Sequence, residues 1–172
     1  RNAGHTARFF PVDVADPDSV NALSAELAKS YARIDGLVNN AALATGIGGR
    51  TFEEIDLETW DMVMRVNVRG TWLMVKALAP LLRRSASGRV VNLASDTALW
   101  GAPKLLHYVS SKGAVIAMTR SLARAEAKQT MRLSHAELIK QGTKAIEIEA
   151  SSLFHNLDGR PLLVPVYVGA YR

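Results

Sequence analysis

Short apolar runs alternate with longer segments of helical spacing over most of the chain. The apolar runs that predict buried strands are 9–14, 34–38 and 89–94. The segments with apolar residues at helical spacing are about 17–31, 57–84 and 107–127. Strands and helices in strict alternation predict parallel strands joined by right-handed crossovers. The pattern therefore predicts an α/β fold in which helices flank a parallel sheet.

The first of these helices has a clear start. Asp16 is a good N-cap, Pro17 suits the first helical position, and Asp18 adds an acid in the first turn. The two later helices, 57–84 and 107–127, are apolar around much of their circumference. Such a helix is usually buried on two sides, so we expect one side to face the sheet and the other to face a partner.

The pattern changes after residue 127. Ser134 and Glu137 form a capping box, which predicts a helix that ends near Gly142. Two strands are predicted further along, at 145–150 and 162–168. We therefore expect a core domain, 1–127, followed by an atypical segment of one helix and two strands, 128–172.

Three polar residues lie where the predicted strands end: Asp13, Asn39 and Ser95. In parallel sheets ligands bind beyond the carboxyl ends of the strands, so we expect a binding site at this edge. Two of the three also have a structural alternative. Asp13 could cap the following helix, and Ser95 could simply end its strand and turn the chain.

Tyr108 and Lys112 carry the chemistry that the sequence indicates most directly. They are four residues apart in a predicted helix, so the phenol and the ammonium share one face. A nearby cation favours the phenolate and lowers the tyrosine pKa from about 10. A tyrosine tuned in this way can act as a general acid or base near neutral pH. The alternative is a half-buried tyrosine with a solvated lysine beside it.

Composition and charge exclude several classes of function. The formal net charge is +5, but Lys and Arg are dispersed, so no nucleic-acid partner is expected. The absence of cysteine excludes thiol catalysis and disulfides, and the four histidines lack metal-ligand spacing, so no metal is expected. No run of roughly eighteen apolar residues occurs, so we expect a soluble, cytoplasmic protein with no membrane partner.

Five pieces of sequence, taken in order, resemble the short-chain dehydrogenase/reductase family. They are Asp13-Val14, the stretch Asn39-Asn40-Ala41-Ala42, Asn67 within RVNVRGT, Ser95, and Tyr108-Val-Ser-Ser-Lys112. Ser95 precedes Tyr108 by thirteen residues, which is the usual family interval. The resemblance covers about residues 9–126. It implies a Rossmann-like fold and NAD(P)-dependent interconversion of a secondary alcohol and a ketone, with a small-molecule substrate.

The resemblance also implies a role for each matching residue. Tyr108 would be the general acid or base, Lys112 would lower its pKa and hold the nicotinamide ribose, and Ser95 would hydrogen-bond the substrate oxygen. Asn67 would position a water in the proton relay, with a purely structural hydrogen bond as the alternative. The implied cofactor contacts are Asp13 and Val14 at the adenine, Asn39 and Ala41 beside the ribose, and Tyr108 and Lys112 at the nicotinamide end.

The printed sequence departs from the family pattern near its start. It contains no TGxxxGxG turn, the element that seats the cofactor pyrophosphate on a helix N-terminus. Gly46, Gly48 and Gly49 follow the second predicted strand, so we expect a loop near the active site there. We therefore expect an incomplete Rossmann-like sheet in which the first strand–helix–strand unit is absent. The choice between NAD and NADP stays open.

The missing strands would lie between 9–14 and 34–38, so another segment must fill that gap or the strands must pair differently. Two functions follow from this picture. The first is an oxidoreductase that acts as a homodimer or homotetramer through helices 57–84 and 107–127, the usual family interface. The second is a catalytically incompetent fragment or paralogue that acts only through association of these helices.

Overall fold

The computed structural model describes residues 7–126, 132–136 and 162–163 of the chain. Its strands are β1 (Gly36–Asn39), β2 (Arg89–Leu93), β3 (Arg132–Ala136) and β4 (Leu162–Leu163). Its α-helices are α1 (Pro17–Ser30), α2 (Leu57–Met64), α3 (Thr71–Leu82), α4 (Thr97–Trp100) and α5 (Leu106–Ala125). A 3₁₀ turn spans Phe52–Glu54, and a π-helical turn spans Arg65–Gly70.

The four strands form one parallel sheet in the order β3-β2-β1-β4. Helix α3 packs on β1 and β2, α5 packs on β2 and β3, and α1 packs against α3. The side chains between these layers form the core, and most of them come from α1, α3 and the two central strands. The predicted α/β class and the Rossmann-like parallel sheet are thus confirmed.

Local signals predicted α1 correctly. The Asp16 carboxylate accepts hydrogen bonds from the backbone N–H groups of Asp18 and Ser19, at 3.1 and 3.2 Å, and Pro17 occupies the first helical position. These contacts satisfy two of the backbone donors that a helix start leaves unpaired.

The strand predicted at 9–14 is wrong. Residues 7–13 form no strand, and no strand of the sheet pairs with them. Only part of the run is buried: Val14 is in the core, whereas Phe9, although apolar, is 71% exposed. A strand needs a neighbour for its backbone hydrogen bonds, and the sheet offers this segment none.

The sequence predicted that one edge of the strand at 34–38 would lack its neighbour. In the structure this edge of β1 is paired with β4. Leu162 and Leu163 of β4 lie beside Gly36 and Leu37 in parallel register. A segment from the C-terminal part of the chain therefore fills part of the position that the family pattern gives to a missing strand.

The helix predicted from Ser134 is wrong at its start, because Ser134 and His135 lie in strand β3. Leu133 pairs with Val90 and Ser134 with Val91 across a parallel ladder. Pairing with the free edge of β2 supplies backbone hydrogen bonds along the whole strand, which outweighs a local capping signal. The rest of that helix, the strand at 145–150 and most of 162–168 fall outside the described residues. The division at residue 127 remains a prediction.

The long helix predicted at 57–84 is interrupted by the π-helical turn. α2 runs into Arg65–Gly70, and α3 continues from Thr71. A π turn inside an α-helix is rare and often marks a functional site. Here the turn contains Asn67, one of the residues that the family resemblance singled out.

Candidate active site

Ser95 lies just beyond the carboxyl end of β2 and is almost fully buried. Its hydroxyl is 2.8 Å from the Thr97 hydroxyl, and it also accepts a hydrogen bond from the Thr97 backbone N–H at 3.3 Å. The Ser95 side chain is therefore held at the strand end by the first turn of α4.

Tyr108 and Lys112 lie one turn apart on α5, and both side chains are buried. The Lys112 ammonium donates to the Leu93 carbonyl at 2.7 Å, and its nitrogen is 5.7 Å from the centroid of the Tyr108 ring. Because Leu93 is the last residue of β2, this hydrogen bond fixes the face of α5 that bears Tyr108 against the strand end that precedes Ser95.

Burial controls the protonation of both groups. Burial lowers the pKa of Lys112 from 10.5 to about 8. Burial also raises the pKa of Tyr108 above 10, and this effect is larger than the opposing one of the Ser95 hydroxyl, while Asp96 adds a smaller upward shift. The expectation of a lowered Tyr108 pKa is therefore wrong for this structure. Loss of water around the phenol is the largest effect on its pKa, and the Lys112 ammonium is directed at a backbone carbonyl.

Asn67 ties the π turn to α5 and to the loop after β1. Its side-chain oxygen accepts from the Leu43 N–H at 2.7 Å, and its amide nitrogen donates to the Leu43 carbonyl at 3.1 Å and to the Ser111 hydroxyl at 3.0 Å. Ser111 in turn donates to the Tyr108 carbonyl at 2.7 Å. Through these contacts the Asn67 side chain joins the π turn to the loop after β1 and to the first turns of α5.

Asn39 belongs to a second buried chain of polar side chains. Its amide donates to the Asn92 side chain at 2.8 Å, and Asn92 donates to the Thr119 hydroxyl at 2.9 Å. These hydrogen bonds join the carboxyl end of β1 to β2 and to α5, the helix that bears Tyr108.

Asp13 and Val14, the residues predicted at the adenine, contact backbone groups of neighbouring residues. The Asp13 carboxylate accepts from the Ala15 N–H at 2.8 Å, and Asp13 is exposed. Val14 is buried, and a Cβ added at Gly70 would lie 3.0 Å from the Val14 carbonyl oxygen. The segment therefore packs directly on the π turn. Ala41 is partly buried against the core at the end of β1.

A cavity of about 460 Å³ opens beside the first turns of α5. Its walls come from the loop before α2 and the loop before α5, and they are mostly apolar, with Arg50, Phe52, Pro103, Lys104, Leu106 and Val109 among them. Val109 directly follows Tyr108. Its volume lies within the range of small-molecule sites, although most of the residues that line it are exposed.

Four residues of this region were not singled out from the sequence: Ser111, Asn92, Thr97 and His107. Two of them carried a usable signal, since Ser111 is polar within an apolar helix and Asn92 is polar within an apolar strand. A buried polar residue needs a hydrogen-bond partner. Each of the two therefore predicted a hydrogen bond, but the sequence did not identify the partner.

In the part of the chain that the structure describes, no group of three or more His, Cys, Asp or Glu residues could hold a metal ion. None of the helices in the described ranges is long and apolar enough to cross a membrane.

Several curated proteins are similar in sequence. The 2-(R)-hydroxypropyl-CoM dehydrogenase of Xanthobacter autotrophicus is 39% identical over 111 residues, 64% of this chain and 44% of that protein. The 2,5-dichloro-2,5-cyclohexadiene-1,4-diol dehydrogenase of Sphingobium indicum is 33% identical over 133 residues, 77% of this chain and 52% of that protein. The chain spans about half the length of the curated relatives it matches.

Solved structures show the same likeness. A short-chain dehydrogenase/reductase structure from Burkholderia xenovorans has a TM-score of 0.72 and 36% identity, covering 78% of this chain and 56% of that one. The structure of ElxO with NADP bound has a TM-score of 0.70 and 28% identity, covering 84% of this chain and 58% of that one.

The family model described as short chain dehydrogenase matches residues 1–140, most of the chain. This match agrees with the parallel sheet and with the placement of Ser95, Tyr108 and Lys112 at its edge. The chain belongs to the short-chain dehydrogenase/reductase family of oxidoreductases.

Proposed function

We propose that this chain interconverts a secondary alcohol and a ketone, with NAD or NADP as the hydride carrier. The observation that carries the proposal is the hydrogen bond from Lys112 to the Leu93 carbonyl. It holds the cation one helical turn from Tyr108 and next to the strand end that bears Ser95. Relatives named as dehydrogenases of a diol and of D-threitol support the proposed substrate class.

Tyr108 is the proton donor in the direction of reduction. Burial raises the pKa of Tyr108 above its ordinary value, so the phenol keeps its proton at neutral pH. It then gives that proton to the carbonyl oxygen as the oxygen gains negative charge. The Ser95 hydroxyl donates a hydrogen bond to the same oxygen and orients it. In the direction of oxidation the proton moves back along the same path.

The residues present fit the nicotinamide end of the cofactor, which supplies the hydride when bound. An ammonium group has three donors, and within the described ranges Lys112 uses one of them on Leu93. Two donors are therefore left for ribose hydroxyls. Asp13 is exposed and in this proposal contacts the adenine side. Asn39, whose amide donates to Asn92, and Ala41 lie beside the ribose in the same proposal.

The cavity beside α5 takes the substituents of the substrate in this proposal. Its lining includes Val109, the residue after Tyr108, and its mostly apolar walls favour a substrate with an apolar portion. Burial of that portion away from water would hold the carbonyl near the phenol.

We also propose that subunits associate through helices 57–84 and 107–127 in the cytoplasm, as a homodimer or homotetramer. Trp72 on α3 is 42% exposed, which leaves a large aromatic side chain for a partner to cover.

The proposal is tested by following NADH and NADPH oxidation with a panel of ketones. The wild-type chain should reduce at least one ketone, and Tyr108→Phe should abolish turnover while leaving cofactor affinity nearly unchanged. Tyr31→Phe is the matched control, because Tyr31 lies at the end of α1 and loses the same hydroxyl. Equal turnover in Tyr108→Phe would refute the proposed proton donor. Absence of turnover in the wild-type chain would favour the association-only alternative.

A further inference from the structure

Asp96 directly follows Ser95 and carries a carboxylate that the proposed mechanism does not use. The residue is partly buried at the start of α4, where an aspartate usually accepts hydrogen bonds from the first backbone N–H groups of the helix. The Asp96 side chain makes no such bond. The Leu99 N–H, which it would normally bind, donates to the Asp96 backbone carbonyl at 2.8 Å. The usual structural use of an aspartate at this position is therefore absent.

The Asp96 carboxylate makes only long contacts with the rest of the protein. One of its oxygens lies 3.4 Å from the Ser95 hydroxyl, and the other lies 3.5 Å from the indole nitrogen of Trp100. Charge-assisted hydrogen bonds to a carboxylate are usually about 2.5 to 2.9 Å long. Across the described ranges, no lysine, arginine or histidine forms an ion pair with Asp96. The carboxylate is thus a charged acceptor whose capacity the protein leaves largely unused.

Ser95 places this acceptor at the reacting end of the site. In the proposed function the Ser95 hydroxyl donates to the substrate oxygen, and it is this hydroxyl that the Asp96 carboxylate approaches. Burial is the main cause of the raised pKa of Tyr108, and the negative charge of Asp96 adds to it. The same charge opposes the negative charge that develops on the carbonyl oxygen during reduction. A substrate that donates a hydrogen bond to Asp96 reduces this penalty, whereas a simple ketone does not.

We propose that Asp96 determines specificity by accepting a hydrogen bond from a hydroxyl group on the carbon next to the reacting carbon. The substrate class is then vicinal diols and the corresponding hydroxyketones. This inference rests on the proposed function, because it names the substrate of the same site. Ser95 and Asp96 are adjacent, so they can bind two oxygens that sit on adjacent carbons. The second hydroxyl is bound and is not oxidised.

The charges at this edge of the sheet favour a hydroxyl over an ammonium as the donor. Lys112 already brings a buried cation to the end of β2, where it donates to the Leu93 carbonyl at 2.7 Å. A second cation on the substrate would be repelled by it. An uncharged hydroxyl donates to the Asp96 carboxylate without that cost.

Hydroxyacetone and 2-butanone form a matched pair of substrates for the test. They differ only in a hydroxyl or a methyl group on the carbon next to the carbonyl. The quantity measured is the ratio of kcat/KM for hydroxyacetone to kcat/KM for 2-butanone. Comparing this ratio between the wild type and a variant cancels the difference in intrinsic reactivity of the two ketones.

Asp96→Asn keeps the size of the side chain and removes its charge. It should lower kcat/KM for hydroxyacetone about tenfold, because a hydrogen bond to a charged acceptor is replaced by a weaker one. The value for 2-butanone should stay the same or rise, because the charge that opposes the developing oxyanion is gone. Asp96→Ala removes the acceptor altogether and should lower the ratio at least as far.

Asp61→Asn is the matched control. Asp61 is exposed on α2, so this variant loses the same charge away from Ser95 and should keep the wild-type ratio. The thermal stability of Asp96→Asn should be close to that of the wild type, because the contacts it weakens are long.

The outcomes separate this inference from the proposed function. An unchanged ratio in Asp96→Asn would overturn the role of Asp96 and leave the proposed function intact. An equal fall in kcat/KM for both ketones would show a structural role and overturn it as well, as would wild-type turnover of other ketones without turnover of hydroxyacetone. If the wild-type chain reduces no ketone at all, the proposed function fails and this inference fails with it.

Discussion

The buried ammonium of Lys112 predicts an unusual dependence of stability on pH. Its pKa is about 8 in the folded chain and 10.5 in the unfolded chain, taking the ordinary value for the latter. The folded state therefore loses its proton first, and the unfolded state binds more protons between these values. Stability must rise with pH across this window, because the cost of burying the charge disappears.

The size of the effect follows from the two pKa values. A pKa that falls from 10.5 to about 8 on folding changes the free energy of unfolding by about 3 kcal/mol over the whole titration. Roughly 2 to 3 kcal/mol of this change should occur between pH 7 and pH 10. Lys112 is 3% exposed, so screening by water takes away little of this.

Lys112→Met isolates this contribution, because methionine has similar bulk and no charge. The free energy of unfolding of wild type and variant is measured by urea denaturation at several pH values from 7 to 10. Titration of all other groups cancels in the difference. We expect the wild type to gain stability over the variant as pH rises. A difference that stays constant from pH 7 to 10 would refute the reasoning.

Three further predictions concern packing and hydrogen bonds. Asn67→Ala removes the side chain that binds Leu43 and Ser111, so the free energy of unfolding measured with urea should fall by about 2 to 4 kcal/mol. Gly88→Ala should destabilise the chain by at least about 1 kcal/mol, since the new Cβ would lie 2.5 Å from a backbone carbonyl, and thermal unfolding checks this. Gly113→Ala, with nothing within 4 Å, should instead stabilise α5 by about 0.5 to 1 kcal/mol in the same thermal assay.

Elements with strong local signals were predictable from the sequence. α1 is specified by Asp16 and Pro17, and the central strands by short apolar runs that need no further information. The family resemblance pointed to Ser95, Tyr108 and Lys112, and the structure brings these three together beyond the carboxyl end of β2. Asp13, which the sequence placed at a strand end, lies in no strand.

Features that depend on distant partners were not predictable. The run 9–14 has strand-like residues, but whether it pairs depends on neighbours that the sheet does not offer it. Ser134 shows a capping signal, yet the free edge of β2 decides its conformation. The pKa of Tyr108 depends on how much water the fold removes, which the spacing to Lys112 does not reveal.

Cofactor binding tests the central claim most directly, that Tyr108 and Lys112 form a site for a nicotinamide cofactor. NADH and NADPH are titrated against the purified chain while their fluorescence is followed, with Lys112→Met as the comparison. We predict a saturable signal for at least one of the two nucleotides, weakened about tenfold or more in the variant by loss of the ribose contact. No saturable signal at millimolar nucleotide, or equal affinity in the variant, would contradict the account.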